Sequence, residues 1–340
     1  MKKKFNTILK SSALFILITF SLAALIFFYQ IRSFSNTPVS ASDDKEVIIT
    51  INKGDTFNRI LNILDKEELI SSHLKFKIYA KVKKKDKKIH TGEYSLNKTM
   101  TPSQILNALS SGAVKLWKIT IPEGHTIFQI ADELENQKIC SRDEFIRLCR
   151  DKSLLDSFQI KAESFEGYLF PETYFLQKNT DARTVIKKMA ENFFKNYSAG
   201  FSKRANELGM SDHEIVTLAS IIEKETGRDQ ERALISSVFH NRLKRKMRLE
   251  TDPSVIYGIK DFDGNITRAD LRQKTPYNTY VIRGLPPGPI ANPGLKSIKA
   301  ALYPEDTEFL FFVSKKDGTH YFSKTYKEHK TAVRKFQLGR

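Results

Sequence analysis

The run SSALFILITFSLAALIFFY at residues 11–29 holds no charged residue, and it constrains this chain more than any other segment. About 20 such residues span a bilayer core as one helix. A cleaved signal peptide has an apolar region of roughly 7–15 residues. This run is longer, although the later Val39-Ser40-Ala41 resembles a cleavage site. We read a retained anchor. Lys2, Lys3, Lys4 and Lys10 precede the run, whereas only Arg32 follows closely before Asp43, Asp44 and Glu46. That bias keeps residues 1–10 in the cytoplasm, makes 11–30 the transmembrane anchor and carries the rest across the membrane.

The side of the membrane decides how the charge is read. A formal net charge of +17 suits a nucleic-acid binder, a protein working at an anionic surface, or one kept soluble by charge. The densest basic block, KVKKKDKK at 81–88, lacks interleaved aromatics and lies on the wrong side for nucleic acid. No nucleic-acid partner is expected.

Residues 31–46 are polar and unpatterned, a tether. Two segments seventy positions apart then resemble each other: ITINKGDTFNRILNIL (49–64) and ITIPEGHTIFQIADEL (119–134). Each predicts a strand, a glycine turn at Gly54 or Gly124, a capping Thr56 or Thr126, and an amphipathic helix. That order resembles the start of a LysM module, a small glycan-binding fold, though strand, turn and helix is also a common unit. Ser141 with Glu144 has capping-box spacing and opens a helix toward Cys149. Nine helical positions put Cys140 and Cys149 roughly 13 Å apart, too far for a disulfide, so both are read as free thiols. No metal-ligand spacing appears, and no metal or cofactor is expected.

A change to aromatic and proline-rich sequence, SFEGYLFPETYFL at 164–176, sets the expected domain border near 155. This gives a LysM-like region at 47–155 and a catalytic domain at 156–340. The fold class is α+β: an N-terminal transmembrane helix, a LysM-like α+β module and a mixed α+β catalytic domain. Residues 250–294 are Gly/Pro-rich with little periodicity, the kind of long irregular stretch that is usually functional. Residues 309–315 and 320–324 form a terminal hairpin around Lys316-Asp317-Gly318-Thr319.

The helix SDHEIVTLASIIEKETG (211–227) opens on a Ser211/Glu214 capping box and closes at Gly227. Ile215, Leu218, Ala219 and Ile222 make its apolar face, flanked by Glu223 and Glu225. A carboxyl half buried there holds its proton more tightly, which suits it to protonate a leaving oxygen. Spacing alone equally fits two solvent-facing glutamates. Phosphate loops, zinc-binding histidine pairs and nucleophile elbows are absent, which leaves carboxylate chemistry.

LASIIEKETG (218–227), SSVFHNRL (236–243), LETDPSVIYG (249–258), PYNTY (276–280), GLPPGPIANPG (284–294) and SKTYKEH (323–329) occur in order, after SFEGYLFPETY. With the anchor and LysM-like layout, they resemble the MltG family, the endolytic murein transglycosylases also called YceG-like proteins. Lys246 and Glu250 stand where such relatives commonly have Gly and Gln. The resemblance implies a lytic transglycosylase of peptidoglycan, a carbon–oxygen lyase on the extracytoplasmic side of the bacterial inner membrane. It would cut between N-acetylmuramic acid and N-acetylglucosamine and leave 1,6-anhydro ends. It also implies Glu223 as the acid/base carboxyl and work beside peptidoglycan synthases (penicillin-binding proteins), limiting glycan length. Glu225, Asp252, Tyr257, Tyr277, Asn278 and Tyr280 are the expected substrate contacts; the tyrosines also read as core residues and Asn278 as a turn cap. A non-catalytic peptidoglycan-binding scaffold is the competing reading.

Overall fold

The computed structural model describes residues 2–259 and 262–339, with side chains from Leu14 onward. The lysines before the apolar run, on which the expected orientation rests, lie outside the described side chains. The chain divides into two compact units, Met1–Trp117 and Lys118–Arg340. This division falls well before the border expected near 155, so the second copy of the repeat packs within the later unit.

The first unit opens with helix α1, Lys2–Asn36. Its segment Leu14–Asn36, with an 18-residue stretch of mean hydropathy 2.3, is long and apolar enough to cross a membrane. Its last turns are different, because Ile31 and Phe34 are each only 7% exposed. Strand β1 (Val47–Ile51), helices α2 (Phe57–Lys66) and α3 (His73–Val82), strand β2 (Gly92–Leu96) and helix α4 (Pro102–Ser111) follow. The strands pair antiparallel, with Val47 opposite Leu96 and Ile51 opposite Gly92. Alternation turns Ile49, Ile51, Tyr94 and Leu96 inward, onto Leu61 and Leu64 of α2 and Phe76 of α3. Thr56 caps α2 through the Arg59 N–H, as expected, and Gly54 takes φ +91° at the turn before it. Helix α1 packs on α3 and α4, which closes the core over Ile31 and Phe34.

The second unit begins with strand β3 (Trp117–Thr120), helices α5 (Ile127–Asn136), α6 (Arg142–Leu148) and α7 (Lys152–Ser157), and strand β4 (Thr173–Leu176). β3 and β4 hydrogen-bond to each other. Thr126 and Gln129 form a capping box on α5. Ser141 precedes α6 but makes no side-chain cap, so that expected box is absent. Cys140 and Cys149 are both free, with Cys149 buried. The amphipathic stretch after 181 is two helices, α8 (Ala182–Asn196) and α9 (Ala199–Glu207).

Helix α10 (Asp212–Glu225) is the axis of this unit. Residues 215–222 are buried on every side, because α9, α11 (Asp229–Lys244), α12 (Asp252–Gly258) and α13 (Leu295–Leu302) all pack on it. The Ser211/Glu214 box forms as expected, but the helix stops at Glu225 with Thr226 extended, before Gly227. The proline-rich loop is bound to this axis: Ser220 Oγ accepts the Ile290 N–H at 3.0 Å. Asn292 Oδ1 accepts from the Gly167 and Leu169 N–H groups at 2.9 Å each. Gly167 has φ +87°, and a Cβ there would lie 2.4 Å from Pro289 Cγ, so only glycine lets the two segments touch. Strands β5 (Phe311–Ser314) and β6 (His320–Ser323) make the expected antiparallel hairpin, and α14 (Tyr326–Phe336) ends the chain.

Candidate active site

Two residues apart on a helix, Glu223 and Glu225 point to different surroundings. Glu223, the expected acid/base group, has a side chain only 6% exposed. One oxygen is 3.2 Å from Arg232 Nη2 and the other accepts the Gly294 N–H at 3.0 Å. Arg232 in turn donates through Nε to Ser297 at 3.0 Å and pairs with Asp229. Both Glu223 oxygens are therefore engaged in joining α10 to α11 and to the start of α13. Breaking a buried ion pair of this kind is costly, so the arrangement reads as a clamp.

Glu225 sits at the end of α10, on the wall of a cleft of about 490 Å³ that Arg242, Glu250, Asp252, Tyr280, Phe312, His320 and His329 also line. Its carboxylate accepts from the Thr251 hydroxyl. Burial pushes its pKa up to about 7; the Thr251 bond opposes the rise, Asp252 adds to it and the Arg242 charge opposes it. A carboxyl protonated near neutral pH beside an open cleft has what general acid catalysis requires.

The surrounding groups are firmly held. Tyr280 donates to Asp252 at 2.6 Å, and burial followed by Asp252 raises its phenol pKa. Arg242 donates to the Leu310, Arg248 and Leu249 carbonyls and to Glu250 at 3.0 Å. Thr251 is the N-cap residue of α12, and Asp252 and Pro253 open its first turn, which brings Asp252 to the cleft.

The other expected contacts lie elsewhere. Asn278 is fully buried and pins its own loop: its amide donates to the Asp270 and Gln273 carbonyls and its oxygen accepts the Tyr280 N–H. It has no exposed surface and holds the loop that leads to Tyr280. Tyr257 and Tyr277 pack on each other at 4.9 Å, and Tyr257 donates to Glu166. Tyr277 with Pro287 and Pro289 lines a separate cavity of about 590 Å³ floored by Glu166. Glu166 is buried and accepts from Ile127 N–H, Asn292 and Tyr257, and burial drives its pKa to about 8. Sequence reasoning missed Glu166, Thr251, Arg242 and His320. Each stood in a segment already singled out, but nothing in the spacing tells which of its residues turn inward.

A carboxyl with a raised pKa, in a cleft walled by hydroxyl, aromatic and charged groups that include Asp252 and Glu250, is the equipment of a carboxylate acid/base enzyme. Residues 49–335 match the YceG-like family, and the chain belongs to it. It is 36% identical over 317 residues to the endolytic murein transglycosylase of Bacillus subtilis (strain 168), covering 88% of this chain and 87% of that protein. With the endolytic murein transglycosylase of Streptococcus pneumoniae serotype 2 it shares 30% identity over 89% of this chain and 60% of the longer relative. The crystal structure of a YceG-like protein from Listeria monocytogenes superposes with a TM-score of 0.58 at 34% identity, covering 85% of this chain and 99% of that one.

Proposed function

We propose that this protein cleaves peptidoglycan glycan strands by lytic transglycosylation, with Glu225 as the acid/base carboxyl in place of Glu223. The observation that carries this choice is the contrast between the two. Glu225 holds its proton to about neutral pH at a cleft, while both Glu223 oxygens are occupied by Arg232 and Gly294.

Protonated Glu225 gives its proton to the glycosidic oxygen as the bond to the muramic C1 breaks, releasing the N-acetylglucosamine side as an alcohol. The carboxylate so formed then takes the proton of the muramic C6 hydroxyl as that oxygen bonds to C1. The product is a 1,6-anhydro ring, no water is consumed and Glu225 ends protonated as it began. The intramolecular nucleophile replaces the second carboxyl that a hydrolase normally needs. Asp252 and Tyr280 line the same cleft and suit contacts to sugar hydroxyls.

The finer reading is a single-pass protein of the bacterial inner membrane that limits nascent glycan length beside peptidoglycan synthases. A retained anchor is supported by Ile31 and Phe34, since cleavage after Ala41 would remove two side chains from the core of the first unit. The strand–helix–helix–strand order of 47–96 supports the LysM-like reading of that unit, and the same order favours the scaffold alternative.

Mass spectrometry of products from uncrosslinked glycan strands separates these readings. Wild type should yield 1,6-anhydro ends. Glu225→Gln should lose roughly 10²- to 10⁴-fold in rate with its fold intact. Glu223→Gln should mainly lower the melting temperature. Reducing ends from wild type would mean a hydrolase, and a folded, inactive Glu223→Gln beside an active Glu225→Gln would return the chemistry to Glu223. Full activity in both variants would move the chemistry to another carboxyl, and wild type that leaves the strands uncut would favour the scaffold.

A further inference from the structure

The Glu225 cleft holds an imidazole that the reaction just described does not use. His320 opens β6 and its ring lines the cleft. Glu231, in the first turn of α11, grips it twice: one carboxylate oxygen is 2.7 Å from His320 Nδ1 and the other accepts the His320 backbone N–H at 2.8 Å. The pair is largely sheltered, with side chains 14% and 12% exposed. The ring edge meets Phe312 at 5.4 Å in a T-shaped contact. A second tie fixes the same hairpin, since Arg228 donates to the Asp317 and Gly318 carbonyls at its turn.

A carboxylate only accepts hydrogen bonds, so the proton of the neutral ring lies on Nδ1 and the lone pair on Nε2. Gripping both backbone and ring sets the tautomer and the direction of that lone pair, more than the hairpin needs for packing alone.

We propose that His320 is a substrate-binding residue of this cleft: Nε2 accepts a hydrogen bond from a hydroxyl or acetamido N–H of the sugar presented to Glu225, and Glu231 is its positioning residue. This rests on the reading of the cleft as the glycan site. His320→Asn keeps a donor for Glu231 but removes the acceptor at Nε2. It should melt near the wild-type temperature while kcat/KM on glycan strands falls roughly 10- to 100-fold, the value of one hydrogen bond in a sheltered site. In His320→Ala, added imidazole should restore part of the lost rate.

Binding separates this proposal from the mechanism. On a Glu225→Gln background, which holds strands uncut, adding His320→Asn should weaken the Kd for glycan strands by a similar factor whether wild type makes anhydro or reducing ends. Wild-type Kd and kcat/KM in a folded His320→Asn would overturn the proposal. So would a loss of rate that follows a lowered melting temperature and that imidazole leaves unchanged.

Discussion

Thr251 beside the cleft and Lys246 after α11 show how much single residues are asked to do. The Thr251 hydroxyl donates to Glu225 and so opposes the rise that burial imposes on its pKa. In the proposed mechanism Glu225 is protonated at the start of turnover, so kcat/KM should fall as pH rises through about 7. Thr251→Val removes a donor to the charged form, and the descending limb of the pH–rate profile should move to higher pH. An unmoved limb would separate Glu225 from the titration. Lys246 follows the end of α11 with φ +54°, in the place where helices usually end on glycine. Its N–H still bonds the Leu243 carbonyl and the Met247 N–H the Arg242 carbonyl, completing the cap. Lys246→Gly should relieve the crowding of Cβ and raise stability by about 1 kcal/mol in chemical denaturation.

Among the elements, α1 serves two environments along one axis. Its segment from Leu14 through Tyr29 exposes large apolar side chains, while Ile31 and Phe34 are buried against the first unit. A protein starting at residue 31 should therefore stay soluble with that unit intact. One starting at residue 37 loses two core side chains, roughly 3–6 kcal/mol together, and its first unit should melt at a clearly lower temperature. Equal melting of the two would mean that the last turns of α1 do not belong to the core.

At the scale of the whole molecule, the second unit stores unfavourable ionisation. Glu166 and Glu225 bind protons more tightly folded than the ordinary carboxyl value of 4.5, up to about 8 and about 7. Between about pH 4.5 and pH 8 the folded state thus holds more protons than the unfolded one, so stability falls as pH rises through that window. Glu166→Gln imitates the protonated form and should remove the larger part, on the order of 5 kcal/mol, leaving a flatter profile in pH-dependent calorimetry. An unchanged slope would mean that Glu166 is ionised in the fold. The sequence by itself determined the apolar helix at the N-terminus, the capped helices at Thr56, Thr126 and Ser211, the terminal hairpin and the ordered motifs of the family, because these follow from local periodicity, backbone restriction and composition. It also placed Glu223 and Glu225 at the rim of one buried helix face. Which glutamate meets the cleft was decided only by tertiary structure. Arg232 and Gly294 reach Glu223 from α11 and the start of α13, while Thr251, Asp252 and His320 surround Glu225 from segments up to 95 residues away in sequence. Burial, charge and hydrogen bonding at a carboxyl are sums over neighbours in space, and helical spacing records none of them.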